Sequence, residues 1–186
     1  MELTVRRAAP SEAEALSAFM RRLFLAAYSH SADAPNVARH VGATFVPAQQ
    51  ALELADPALE TLLAESAEGW VGCAQLRPAS RPPVVLDAGA PAELRRFYID
   101  APWHGSGAAA RLMQSVADRA AQAGADALWL YVWQQAPRAI RFYEKCGFRI
   151  AGTAVFMVGD RRNDDWVMWR PLAAGAPRQS SRSSGL

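Results

Sequence analysis

At 186 residues, with 20% charged and 51% apolar side chains, the chain has the composition of one globular domain with a full hydrophobic core. Its two cysteines exclude a disulfide scaffold, no Cys/His spacing suits a metal, and no run of about 18 apolar residues is present to span a membrane. The formal charge of +2 rests on three arginines in an acid-free C-terminal stretch and so marks no nucleic-acid surface; with no apolar N-terminal run, the expected compartment is the cytoplasm.

Residues 3–7 read as a short first strand. Ser11 then opens a helix, with Glu14 three residues on as in a capping box. Leu16, Phe19, Met20, Leu23, Phe24 and Ala27 lay one apolar stripe along it. Residues 28–35 are polar and loop-like, 37–45 form a weaker helix, and Pro47 starts another that stops before Asp56-Pro57. Residues 61–66 and 70–76 form a hairpin turning at Glu68-Gly69, the proline-rich stretch 77–91 is a loop, and 93–99 is the next strand. A helix over 107–123 ends at Gly124, a C′ residue.

Residues 128–133 are apolar on both faces, as a strand of a parallel pair is. Pro137 starts a helix ending near Cys146-Gly147. Two strands follow, 148–157 and 166–169, joined by a polar loop over 159–164. The domain is expected over 1–172, and the Ala/Gly/Pro/Ser-rich residues 173–186 are expected to be a disordered tail. This order predicts an α/β (α+β) fold: a mixed, mostly antiparallel sheet of about seven strands with helices on both faces.

Two stretches carry chemistry. In Tyr98-Ile-Asp-Ala-Pro-Trp-His-Gly-Ser-Gly-Ala-Ala-Ala-Arg-Leu-Met113 a strand stops, a glycine turn follows, and a helix begins. Amides at that helix start suit a phosphate or pyrophosphate, although a Gly-x-Gly alone is equally an ordinary connection. The second stretch runs from Val132 to Phe148 and contains Ala139-Ile-Arg-Phe-Tyr-Glu-Lys-Cys-Gly-Phe148. Together, in this order and context, they resemble the GNAT superfamily of acyl-CoA-dependent N-acetyltransferases, and the likeness runs over about residues 3–172.

The resemblance implies acetyl-CoA as donor and coenzyme contacts at Gly105, Ser106, Gly107, Ala108 and Ala109, with His104 where the family carries Arg or Gln. It also implies that Phe97, Tyr98 and Ile99 line the pantetheine arm. Tyr143 matches the general acid that protonates the departing thiolate; an ordinary tyrosine, with a pKa of about 10, holds that proton at neutral pH. Glu93 stands where several members carry a catalytic glutamate, so it is the base, directly or through water, or else a strand carboxylate paired with Arg95 or Arg96. Ala136 replaces an asparagine common in the family, leaving Gln134 or Gln135 to supply that contact. Cys73 and Cys146 read as structural, so attack on the thioester is direct, without an acetyl-enzyme.

By the same resemblance the acceptor lies against residues 28–36 and 159–165, where Tyr28, His30, Asp33, Asp160 and Asp164, with Asp165 beside them, offer carboxylates to a cationic amine. Interleaved Arg161 and Arg162 fit a plain solvated hairpin equally well. The run from Phe156 to Met168 also resembles PaiA-type acetyltransferases, which act on polyamines. The expected partners are acetyl-CoA and a small amine, with no metal, nucleic acid or membrane, in a monomer or homodimer. The rivals are a protein N-terminal acetyltransferase and a nonenzymatic acyl-CoA-binding regulator. A P-loop is excluded, because no Gly-Lys-Ser/Thr follows the turn.

Overall fold

The computed structural model describes residues 2–27, 34–158 and 161–172. In chain order its elements are β1 (Thr4–Arg7), α1 (Ala13–Ala27), α2 (Ala34–Thr44), α3 (Pro47–Ala55), β2 (Glu60–Ser66), β3 (Gly69–Arg77), β4 (Pro91–Ile99), α4 (Ala108–Gln122), β5 (Ala127–Trp133), α5 (Pro137–Lys145), β6 (Arg149–Val158) and β7 (Arg161–Pro171). The strands form one seven-stranded sheet in the order β1-β2-β3-β4-β5-β7-β6, antiparallel except where β4 meets β5. Among the described residues no helix is long and apolar enough to cross a membrane.

Strand alternation sorts the apolar residues onto two faces. On one, Leu62, Ala74, Leu94, Leu128, Leu130 and Met168 pack under Leu112, Met113 and Val116 of α4, and α5 leans on the same cluster through Ala139 and Ile140. On the other, Leu63 and Cys73 meet Leu16, Phe19, Met20 and Leu23 of α1 and Val37 and Val41 of α2. Each fully buried leucine contributes about 1.5–3 kcal/mol of transfer free energy. Helix α2 reaches β6, and the 78–90 loop covers the far half of this second face. There Trp129, Val167 and Trp169 lie under Val84 and Leu86 of the 78–90 loop. The Trp129 indole Nε1 donates to the Ser80 carbonyl at 2.7 Å, and the Asp126 carboxylate accepts from the Gly89 and Ala90 amides at 2.6 and 3.0 Å.

Two local expectations are corrected. Pro10–Glu12 form a 3-10 turn ahead of α1, so Ser11 and Glu14 make no capping box. Glu12 serves instead: its carboxylate accepts from the Ala9 amide at 2.7 Å and pairs with Arg6, which also grips Glu65 of β2. The last hairpin is also longer than expected, pairing out to Val158↔Arg161, so residues 161–165 are strand rather than loop. Beyond Asp165, β7 has run past the end of β5 and pairs only with β6, and the exposed Arg162 and Asp164 hide the strand from a hydrophobicity pattern.

Candidate active site

Strands β4 and β5 pair at Pro91↔Ala127, Ala92↔Leu128 and Glu93↔Trp129, and then part. From Leu94 to Ile99, β4 keeps a ladder only with β3, so its other edge opens onto a gap. A bulge between Gln75 and Leu76 leaves Arg95 without a register partner and re-aims the strand. Phe97 and Ile99 thereby join the α4/α5 side, while the Tyr98 ring lies on the α1/α2 side, 6.4 Å from that of Phe45. Any coenzyme contact at Tyr98 therefore falls to its backbone. Gly72 permits this course: a Cβ there would stand 2.6 Å from both the Tyr98 carbonyl and Ile99 Cδ1.

At the end of β4, Asp100 organises the turn. Its carboxylate accepts from the Ala101 amide at 2.9 Å and from the Arg22 guanidinium of α1 at 2.9 and 2.7 Å, and Arg22 holds it below the usual carboxylate range. Gly105 and Gly107 take φ of 84° and 89°, a region L side chains rarely adopt. Ser106 Oγ donates to the Trp103 carbonyl at 2.8 Å and accepts from the Ala108 amide at 3.3 Å. The amides of Gly105, Gly107, Ala109 and Ala110 meet no acceptor among the described residues, and nothing stands within 4 Å of a Cβ position at either glycine. Unpaired donors, open space and the positive end of α4 fit a pyrophosphate. His104 Nε2 sits 3.0 Å from the Ile99 carbonyl and ties the turn to the strand.

Helix α5 delivers Tyr143. The helix closes in a Schellman motif, with Phe148 N–H donating to the Tyr143 carbonyl at 3.0 Å and Gly147 N–H, at φ 85°, to that of Glu144 at 2.9 Å. The accompanying apolar contact is the Tyr143 ring against Phe148, 5.7 Å between centroids, and the same ring meets Phe97 of β4 at 6.4 Å. The Phe-Tyr-x-Lys-x-Gly-Phe signature is thus a device that fixes one tyrosine at the edge of the gap. The start of α5 is weaker: no side chain caps it at Ala136, and Gln135 is exposed. Burial raises the Cys146 thiol and pushes that of Cys73 up to about 12, so neither is a ready thiolate.

On the opposite face Glu93 accepts from Ser80 Oγ at 3.0 Å, whereas Arg95 and Arg96 both pair with Glu53 of α3. Next to it lies Tyr131 of β5, its phenol raised first by burial and then by the negative charges of Glu93 and Asp165. Asp165 points to this side, in step with Val167 and Trp169, and burial pushes its carboxyl up to about 6. Asp164 alternates to the other face, 71% exposed and 3.9 Å from Arg162, so it is not brought to Glu93. Tyr28, His30, Asp33 and Asp160 lie outside the described residues. Reading 159–164 as a loop left the facing of Asp165 open; its spacing to Val167 and Trp169 was the signal for an inward carboxylate.

Residues 18–148 match the model of the acetyltransferase (GNAT) family. The chain is 36% identical over 162 residues, 87% of its length and 99% of the relative's, to an uncharacterised N-acetyltransferase of Mycobacterium tuberculosis. The fold is similar to PaiA N-acetyltransferase from Thermoplasma acidophilum in complex with coenzyme A, with a TM-score of 0.72 at 16% identity over 92% of this chain and 99% of that one. It is also similar to mutant forms of the spermidine/spermine N-acetyltransferase SpeG from Vibrio cholerae, with a TM-score of 0.62 at 20% identity over 91% and 95%. The chain belongs to the GNAT acetyltransferase family. It is an N-acetyltransferase, and acetyl-CoA is its co-substrate.

Proposed function

We propose that the acceptor is a small primary amine of the polyamine class, which attacks the thioester directly. The observation that carries this reading is the parting of β4 and β5, with the Tyr143 ring against Phe97 on one side and the Glu93 carboxylate on the other. Support for the acceptor class comes from the PaiA-like run 156–168 and from the shared fold of a spermidine/spermine acetyltransferase.

In this reading the amides of Gly105, Gly107, Ala109 and Ala110 hold the pyrophosphate, and the open edge of β4 at Phe97 and Ile99 aligns the pantetheine arm. A carboxylate on the face that Glu93 presents to the gap draws a proton from the acceptor's ammonium, directly or through water. The free amine nitrogen bonds to the acetyl carbon as the C–S bond breaks, and Tyr143 gives its proton to the sulfur. A second proton leaving the nitrogen restores Tyr143. The raised thiols of Cys73 and Cys146 favour this single transfer over an acetyl-enzyme.

Tyr143→Phe keeps the ring contacts and removes the proton. It should bind acetyl-CoA with the wild-type Kd and lose at least about tenfold in kcat on spermidine. A wild-type kcat in that variant would remove the acid from the scheme.

A further inference from the structure

Asp165 is 5% exposed, and among the described residues its Oδ1 meets no hydrogen-bond partner. An unpaired buried carboxylate is costly, so a fold retains it protonated or in reach of a cation. The described cations nearby are engaged elsewhere: Arg162 lies beside Asp164, Arg170 donates to the Cys146 carbonyl, and Arg95 and Arg96 pair with Glu53. Its register partners, Trp133 of β5 and Ala154 of β6, carry no titratable group. The titratable groups around it are Asp164 on its own strand, Tyr131 on β5 and, across Tyr131, Glu93 on β4. Helix α2, which touches β6, carries Arg39 and His40, and the His40 ring stacks on that of Phe24.

The position matters as much as the burial. The last β4–β5 pair is Glu93↔Trp129, so Tyr131 and Trp133, the latter opposite Asp165, lie where the strands have parted. Glu93 on β4 and Asp165 on β7 therefore stand on either side of Tyr131, on the face away from Tyr143. We propose that Asp165 is a catalytic residue whose carboxylate seats the ammonium of the acceptor and takes its first proton, with Glu93 completing the negative seat.

The assignment rests on the amine-acceptor reading above. The N–H bond of the ammonium breaks, its electron pair stays on nitrogen, and its proton goes to Asp165. The new N–C bond then displaces the thiolate, which takes the Tyr143 proton. The second nitrogen proton returns to Tyr143 through water, and Asp165 releases its own to solvent, the one net proton of the reaction. The raised carboxyl suits this duty, since a base is most effective when its pKa lies near the working pH.

The test compares the wild type, Asp165→Asn and Glu93→Gln in the full chain, with spermidine and propylamine as acceptors, over pH 5.5–9. Asp165→Asn should lower kcat/KM for the amine about 100-fold, leave the Kd for acetyl-CoA and the Tm no lower than wild type, and abolish the rise in rate near pH 6 that Glu93→Gln retains. Should the Asn variant not fold, Asp165→Ala with added formate takes its place, and formate should restore part of the rate. A wild-type kcat/KM in Asp165→Asn, no rescue by formate, or activity lost together with Tm and acetyl-CoA binding would overturn the assignment. Were the wild type to acetylate neither amine, the functional reading would fail and this assignment with it.

Discussion

Gly72→Ala tests whether the course of β4 is what builds the coenzyme edge. The added Cβ would stand 2.6 Å from the Tyr98 carbonyl and from Ile99 Cδ1, against an ordinary contact of 3.4 Å or more, so something must yield by about 0.8 Å. The Ile99 methyl can swing aside, but the Tyr98 carbonyl is backbone. The end of β4 must shift, with Phe97 and Ile99 on it and Asp100 beyond, whose amide is held by the Val71 carbonyl at 2.8 Å. Overpacking of this kind costs about 1–3 kcal/mol. For a chain of this size that lowers Tm by roughly 3–10 °C. Because the displaced segment is the edge proposed to align the pantetheine arm, kcat/KM for acetyl-CoA should fall by on the order of tenfold or more. Thermal melting and steady-state kinetics read the two effects separately. A variant with wild-type Tm and wild-type kcat/KM would refute the reasoning from close approach.

Three smaller perturbations follow from the same geometry. Ala136→Asn supplies the missing cap of α5 and should raise stability by about 1 kcal/mol in thermal melts, with an unchanged or lower Tm counting against it. Arg22→Ala removes the clamp on Asp100; with Arg22 55% exposed, its effect should stay below about 1 kcal/mol at pH 7 and shrink in 1 M salt. Because Arg22 lowers the Asp100 carboxyl, the clamp's contribution is present above the ordinary value of 3.8 and lost as pH falls through the lowered one, so the two proteins should converge in acid. Asp165 has the opposite sign. Folding raises its carboxyl from 3.8 to about 6, so the native state holds the proton more tightly and stability falls as pH climbs through that window. The cost above pH 6 is about 3 kcal/mol, and urea melts of Asp165→Asn between pH 4 and 7 should lack that decline.

The element order was legible because its signals are local. The apolar spacing from Leu16 to Phe24 lays out α1, and glycines at 107, 124 and 147 punctuate α4 and α5 with the left-handed φ they adopt. The backbone of the two stretches proposed to serve the coenzyme was legible for the same reason: a turn that needs glycine at 105 and 107, and a Schellman close that needs it at 147. What escaped was long-range. Nothing near Glu93 in sequence announces that Ser80 bonds it, or that Arg95 and Arg96 turn to Glu53 instead. The bulge that sends Tyr98 to one face and Phe97 to the other depends on strand pairing, and Asp165 gains its character from burial between β5 and β6.

The most direct measurement of the central claim is free-thiol release from acetyl-CoA with spermidine, propylamine, amino acids and short peptides as acceptors, each scored as kcat/KM. The account predicts turnover on the small amines, with spermidine at least about tenfold above any peptide and an acetylated amine recovered in equal amount to the thiol. Turnover confined to peptide N-termini, or coenzyme binding with no turnover on any amine, would contradict it.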